Sequence, residues 1–77
     1  MINIHWLGAG LSSLPGIRRM ASNGHKLTVW NRTLSKATLS INHVHSSDVL
    51  AKKFNLNELS TLLSDGDIVV SQLSANM

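Results

Sequence analysis

The strongest constraint on this chain is the order in which its sequence periodicities change. Asn3 to Leu7, "NIHWL", reads as a short buried strand. From Leu11 to about Asn23 the apolar residues Leu14, Ile17, Met20 and Ala21 recur at three- and four-residue spacing, which predicts a helix. Pro15 fits only near that helix's start, and Asn23-Gly24 supplies its stop. Lys26 to Asn31, "KLTVWN", is rich in β-branched and aromatic residues and is the clearest strand. "RTLSKATLS" then predicts a short helix, residues 41–48 have no readable pattern, and Val49 to Lys53 reads as a third strand. Asn55 stands three residues before Glu58, a helix-starting arrangement. The helix it opens carries Leu56, Leu59, Leu62 and Leu63, which are expected to be core. Asp65-Gly66 ends that helix, and "DIVVSQL" is the last strand. Such a β-α-β-α-β-α-β order requires a parallel sheet, because each crossover must return the chain to the same end. Right-handed crossovers put helices on both faces.

Composition narrows the function classes. Seventy-seven residues make at most one small domain. The charged fraction of 14% against 43% hydrophobic residues belongs to a folded chain, not a disordered one. No apolar run approaches the ~20 residues that span a bilayer, so no membrane role is expected. The absence of cysteine removes disulfides and thiolate zinc sites, which suits a cytoplasmic location. The net charge of +3 is spread over scattered residues, and Trp6, Trp30 and Phe54 are too few for base stacking. Nucleic acid is therefore not an expected partner.

The first turn carries the chemistry. "GAGLSS" follows a predicted strand directly and opens a predicted helix, the placement that gives glycine spacing its meaning. In a dinucleotide-binding turn the first glycine permits the tight bend and the second lets backbone approach a pyrophosphate. The third position must be small so that helix and strand pack closely. Gly8, Gly10 and Ser13 occupy these places, with Ala9, Leu11 and Ser12 completing the turn. Ser12 and Ser13 offer hydroxyl donors, and the helix N-terminus behind them offers unpaired N–H groups to phosphate. The chain thus reads as the N-terminal part of a truncated Rossmann-like NAD(P)-binding domain covering residues 1–77.

The end of the second strand tests which dinucleotide. An NAD site carries Asp or Glu there for the ribose hydroxyls; this sequence reads "NRT". Asn31 does not repel a 2′-phosphate, Arg32 can pair with one, Thr33 adds a hydroxyl and Lys36 can bring its ammonium to the same place. Serine at position 13 points the same way, so NADP(H) is expected in preference to NAD(H).

"GAGLSSLP", "VWNRT" and "DGDIVVSQLSA" together resemble the N-terminal Rossmann portion of the saccharopine dehydrogenase (saccharopine reductase) family. The resemblance implies an NADP-linked oxidoreductase of amino-acid metabolism, moving hydride at the secondary-amine carbon of an amino-acid conjugate. It also implies that Leu73 and Ser74 pass the cofactor, although Ser74 stands where that family often has proline. The substrate domain and the catalytic residues would lie beyond Met77, so none is assigned and the 77 residues alone are expected to be inactive. For the full-length parent a homodimer and an amino-acid-derived substrate are expected.

"NRT" and "GDIVVS" also occur in β-hydroxyacid dehydrogenases, which are a second enzymatic reading. A third reading is a regulatory NAD(P)-sensing module with no hydride chemistry, since a fold of this kind by itself only binds. His43 and His45 have chelating i, i+2 spacing but no third ligand, so no metal site is assigned. His5 and His25 are read as structural, Asp65 and Asp67 as turn residues, and Arg18 and Arg19 as exposed.

Overall fold

A computed structural model describes residues 2–72, and within them the strand boundaries follow the residue chemistry closely. Strands β1 (Asn3–Leu7), β2 (Lys26–Asn31), β3 (Val49–Lys53) and β4 (Ile68–Ser71) form one parallel sheet in the order β3-β2-β1-β4. Leu7 pairs with Trp30 on one side and with Ser71 on the other, so the C-terminal ends of the three adjacent strands are level. Helices α1 (Leu14–Ser22), α2 (Leu34–Ser40) and α3 (Leu56–Leu62) make the crossovers.

Alternation along β1 and β2 divides the interior in two. Ile4, Trp6, Leu27 and Val29 face α1 and α2, where Ile17 and Ala37 are fully buried against them. On the opposite face Leu7 and Trp30 pack with Leu59 of α3. The expected stripe on the first helix is real, but its start differs. Leu11–Ser13 form a single 3-10 turn, and the α-helix begins at Leu14 with Pro15 in its first turn. Gly24, at φ 78°, takes the left-handed conformation that ends α1.

Gly16 sets how closely α1 lies on the sheet. A Cβ there would stand 2.4 Å from Cη2 of Trp6, so only glycine admits the indole at this distance. The third small position, Ser13, is buried as well, and neither its hydroxyl nor the Trp6 Nε1 has a hydrogen-bond partner among the described residues.

The leucines of α3 are a correction to the sequence reading. Leu59 is buried, whereas Leu56 is 67% exposed and Leu62 and Leu63 are about 40% exposed (42% and 39%). The helix is seven residues long, and one turn of it meets the sheet over Leu7 and Trp30. The start of α3 is as expected: Asn55 Oδ1 accepts the Glu58 N–H at 2.9 Å. The Glu58 carboxylate turns instead to Lys52, whose Nζ donates to it at 2.8 Å.

A polar tie runs under α3. Trp30 Nε1–H donates to His5 Nδ1 at 3.2 Å, which leaves the ring proton of His5 on Nε2. That nitrogen donates to Asp67 Oδ2 at 3.3 Å, and the same oxygen accepts from Asn3 Nδ2 and the Ser64 N–H. His5 is therefore structural, as the sequence suggested, and Asp67 is more than a turn residue. His43 and His45 are exposed in the loop before β3, and no group of three metal-ligating side chains occurs among the described residues. No helix of the described residues is long and apolar enough to cross a membrane.

Candidate dinucleotide groove

The level strand ends leave their backbone groups and the following turns around one crevice, where the sheet order reverses across β1. Gly8 leaves β1 at φ 102°, a conformation that costs an L side chain ~1–2 kcal/mol. Its N–H donates to Trp30 O at 2.7 Å, which holds the turn against the end of β2. One residue on, the Ala9 N–H donates to Asn31 Oδ1 at 3.1 Å, and Asn31 Nδ2 donates to Thr33 O at 3.0 Å.

Gly10 then runs extended, at φ −73° and ψ 174°, into the 3-10 turn, where the Ser13 N–H donates to Gly10 O. Among the described residues no backbone carbonyl or side chain accepts the N–H groups of Gly10, Leu11 or Ser12. They are the free donors at the head of α1, and the helix dipole favours negative charge in front of them.

A groove of about 500 Å³ lies over this turn, lined by Gly10 and Ser12 among others. Gly8, Ala9, Gly10 and Ser12 form its floor, and Asn31, Arg32, Thr33 and Lys36 form one bank. The chain's acidic side chains, Asp48, Glu58, Asp65 and Asp67, are absent from its lining. A guanidinium, an ammonium and free backbone N–H groups of the turn before α1 thus line the groove with no carboxylate among them. Such a set of donors and cations without acidic neighbours can hold anionic groups such as phosphate esters.

Eight of the residues singled out from sequence are brought together here: Gly8, Ala9, Gly10, Ser12, Asn31, Arg32, Thr33 and Lys36. Leu11 is 87% exposed and lies instead on an adjoining apolar hollow with Leu14 and Leu39. Ser13 is buried away from the groove lining, and Leu73 and Ser74 lie outside the described residues. Gln72 was missed by sequence reasoning. It follows β4 directly, its N–H donates to Leu7 O at 2.8 Å, and it lines the groove on the side opposite Arg32. The signal was available, since residues just after the strands on either side of a switch point open on its crevice.

The profile of the shikimate / quinate 5-dehydrogenase family matches residues 2–77, nearly the whole chain. The chain belongs to that family. Shikimate / quinate 5-dehydrogenases are NAD(P)-binding oxidoreductases, and a Rossmann-like half-sheet with a phosphate-ready turn is what such a domain needs. Membership in this family agrees with the dehydrogenase-type dinucleotide-binding domain that the resemblance implied, and it does not support saccharopine dehydrogenase specifically. Motifs of this kind mark a dinucleotide-binding fold rather than a substrate, and one such fold is joined to many different substrate domains. No curated protein and no solved structure matches the chain.

Proposed function

We propose that this chain is the cofactor-gripping part of an NADP(H)-dependent dehydrogenase acting on a hydroxylated carboxylic acid of the shikimate or quinate kind. Gly10 carries the reading. Its φ of −73° suits any residue, and a Cβ built there meets nothing within 4 Å. Nothing in the fold asks for glycine at this point, yet the position faces the groove floor. At a groove-lining position, glycine leaves the backbone open to a ligand that comes down onto it.

The residues present fit the cofactor. The pyrophosphate would lie on the N–H groups of Gly10, Leu11 and Ser12, with the Ser12 hydroxyl beside them. Arg32 and Lys36, exposed on the bank, supply the charge for a 2′-phosphate, and Thr33 a hydroxyl donor. The neutral Asn31 replaces the carboxylate that would repel this phosphate. When bound, the nicotinamide supplies or accepts the hydride; the groove fixes the dinucleotide's adenosine end so that its reactive ring is held in one place. The substrate reading rests on the family alone.

The experiment is a titration of the full chain with NADPH and NADH. Arg32→Ala is expected to weaken NADPH by about 1.5–3 kcal/mol, roughly 10- to 150-fold, and to leave NADH unchanged. Gly10→Ala is expected to weaken both cofactors while thermal unfolding stays in place. Equal weakening of both by Arg32→Ala, or undiminished binding by Gly10→Ala, overturns the assignment.

A further inference from the structure

Asn31 ends β2 and is 8% exposed, with both ends of its carboxamide turned into the protein. The orientation of that amide is fixed by its partners. The Ala9 N–H can only donate, so the atom it meets must be Oδ1; the Thr33 carbonyl can only accept, so the atom it meets must be Nδ2. Ala9 belongs to the turn read as facing the pyrophosphate, and Thr33 to the segment running from the β2–α2 loop into α2 that carries Arg32 and Lys36. One side chain therefore links the two places where a single NADP molecule presents phosphate.

We infer that Asn31 is a positioning residue that sets the spacing between the pyrophosphate turn and the 2′-phosphate loop. The inference rests on reading the groove as an NADP site. A ligand with two phosphates gains from both at once only if the protein holds the two sites at the ligand's own separation. The backbone bond from Gly8 to Trp30 O ties the turn to β2 but does not reach the β2–α2 loop. Among the described residues, the carboxamide alone hydrogen-bonds across that gap. An aspartate there keeps the acceptor for Ala9, loses the donor, and sets a carboxylate oxygen against the Thr33 carbonyl. The same bond withdraws the Ala9 N–H from ligand binding, leaving Gly10, Leu11 and Ser12 as the phosphate donors.

The test uses the full chain and three adenosine phosphates: 2′,5′-ADP, which carries both groups, and 2′-AMP and 5′-AMP, which carry one each. Asn31→Ala is expected to lower affinity for 2′,5′-ADP about tenfold and for each monophosphate less than about threefold. Amide hydrogen exchange of the free protein gives a second readout. Ala9 loses protection in Asn31→Ala and keeps it in Asn31→Asp, while Gly8 stays protected in both. Equal losses for all three nucleotides, or unchanged protection of Ala9 in Asn31→Ala, overturn the inference. If the unsubstituted chain binds 2′,5′-ADP no better than 5′-AMP, the NADP reading fails. The exchange pattern then still decides whether Asn31 couples the two segments.

Discussion

Replacing Gly16 by alanine tests the packing that places the phosphate turn. The added Cβ would stand 2.4, 3.0 and 3.3 Å from Cη2, Cζ2 and Cζ3 of Trp6. Carbon atoms rest comfortably at about 3.5–4.0 Å, so the closest pair must separate by about 1 Å or more. Trp6 cannot yield easily, because it is 7% exposed and its indole is rigid beside Ile4, Ile17 and Val29. Overpacking of this kind costs about 1–3 kcal/mol. Alanine's better helix propensity offsets at most about 1 kcal/mol of that. The expected net loss is about 1–2 kcal/mol, which for a chain this short lowers Tm by roughly 4–16 °C. Urea unfolding followed by tryptophan fluorescence should show an earlier midpoint at unchanged slope. Trp6→Phe in the Gly16→Ala background should couple with it, recovering part of the second loss. A Gly16→Ala chain as stable as the original, or more stable, refutes the close-approach argument.

Two other substitutions probe the supports of the groove. Asp67→Ala removes the oxygen that accepts from His5, Asn3 and Ser64 and strands a buried His5 Nε2–H, so a loss of about 1–3 kcal/mol is expected in the same urea titration. A change within about 0.5 kcal/mol would show that the tie is replaceable by solvent. Asn55→Ala takes the acceptor from the Glu58 N–H and is expected to cost about 1 kcal/mol, read as a lower thermal midpoint by circular dichroism. Asn55→Asp should retain most of that, since it keeps the acceptor.

The strands were legible because their signals are local. "KLTVWN" between Gly24 and the "NRT" turn carries its own boundaries, and Asn55 with Glu58 marks a helix start within four residues. The glycine turn was legible for the same reason, as strand, glycines and helix follow one another directly. What escaped depends on partners distant in sequence. The burial of Asp67 is decided by His5, 62 residues away. Leu62 looks like Leu59 by spacing alone, and only the position of Trp30 and Leu7 beneath α3 separates them. Asn31 lines the groove, but the direction of its amide needed the positions of Ala9 and Thr33. Gly16 was passed over because a glycine in a helical turn shows nothing of the indole above it.

The strand order has a consequence for how this groove holds together. Its two banks come from opposite sides of β1: Asn31 to Lys36 follow β2, and Gln72 follows β4. Strand β4 is four residues long, three of them exposed, and it meets the chain's first strand across more than sixty intervening residues. It is the shortest of the described strands, and its pairing closes across the greatest separation in sequence. A ligand that touches both banks binds only where β4 is docked, so filling the groove and fastening the strand become a single equilibrium. A dinucleotide held by both banks, as proposed, would then act as a clasp on β4.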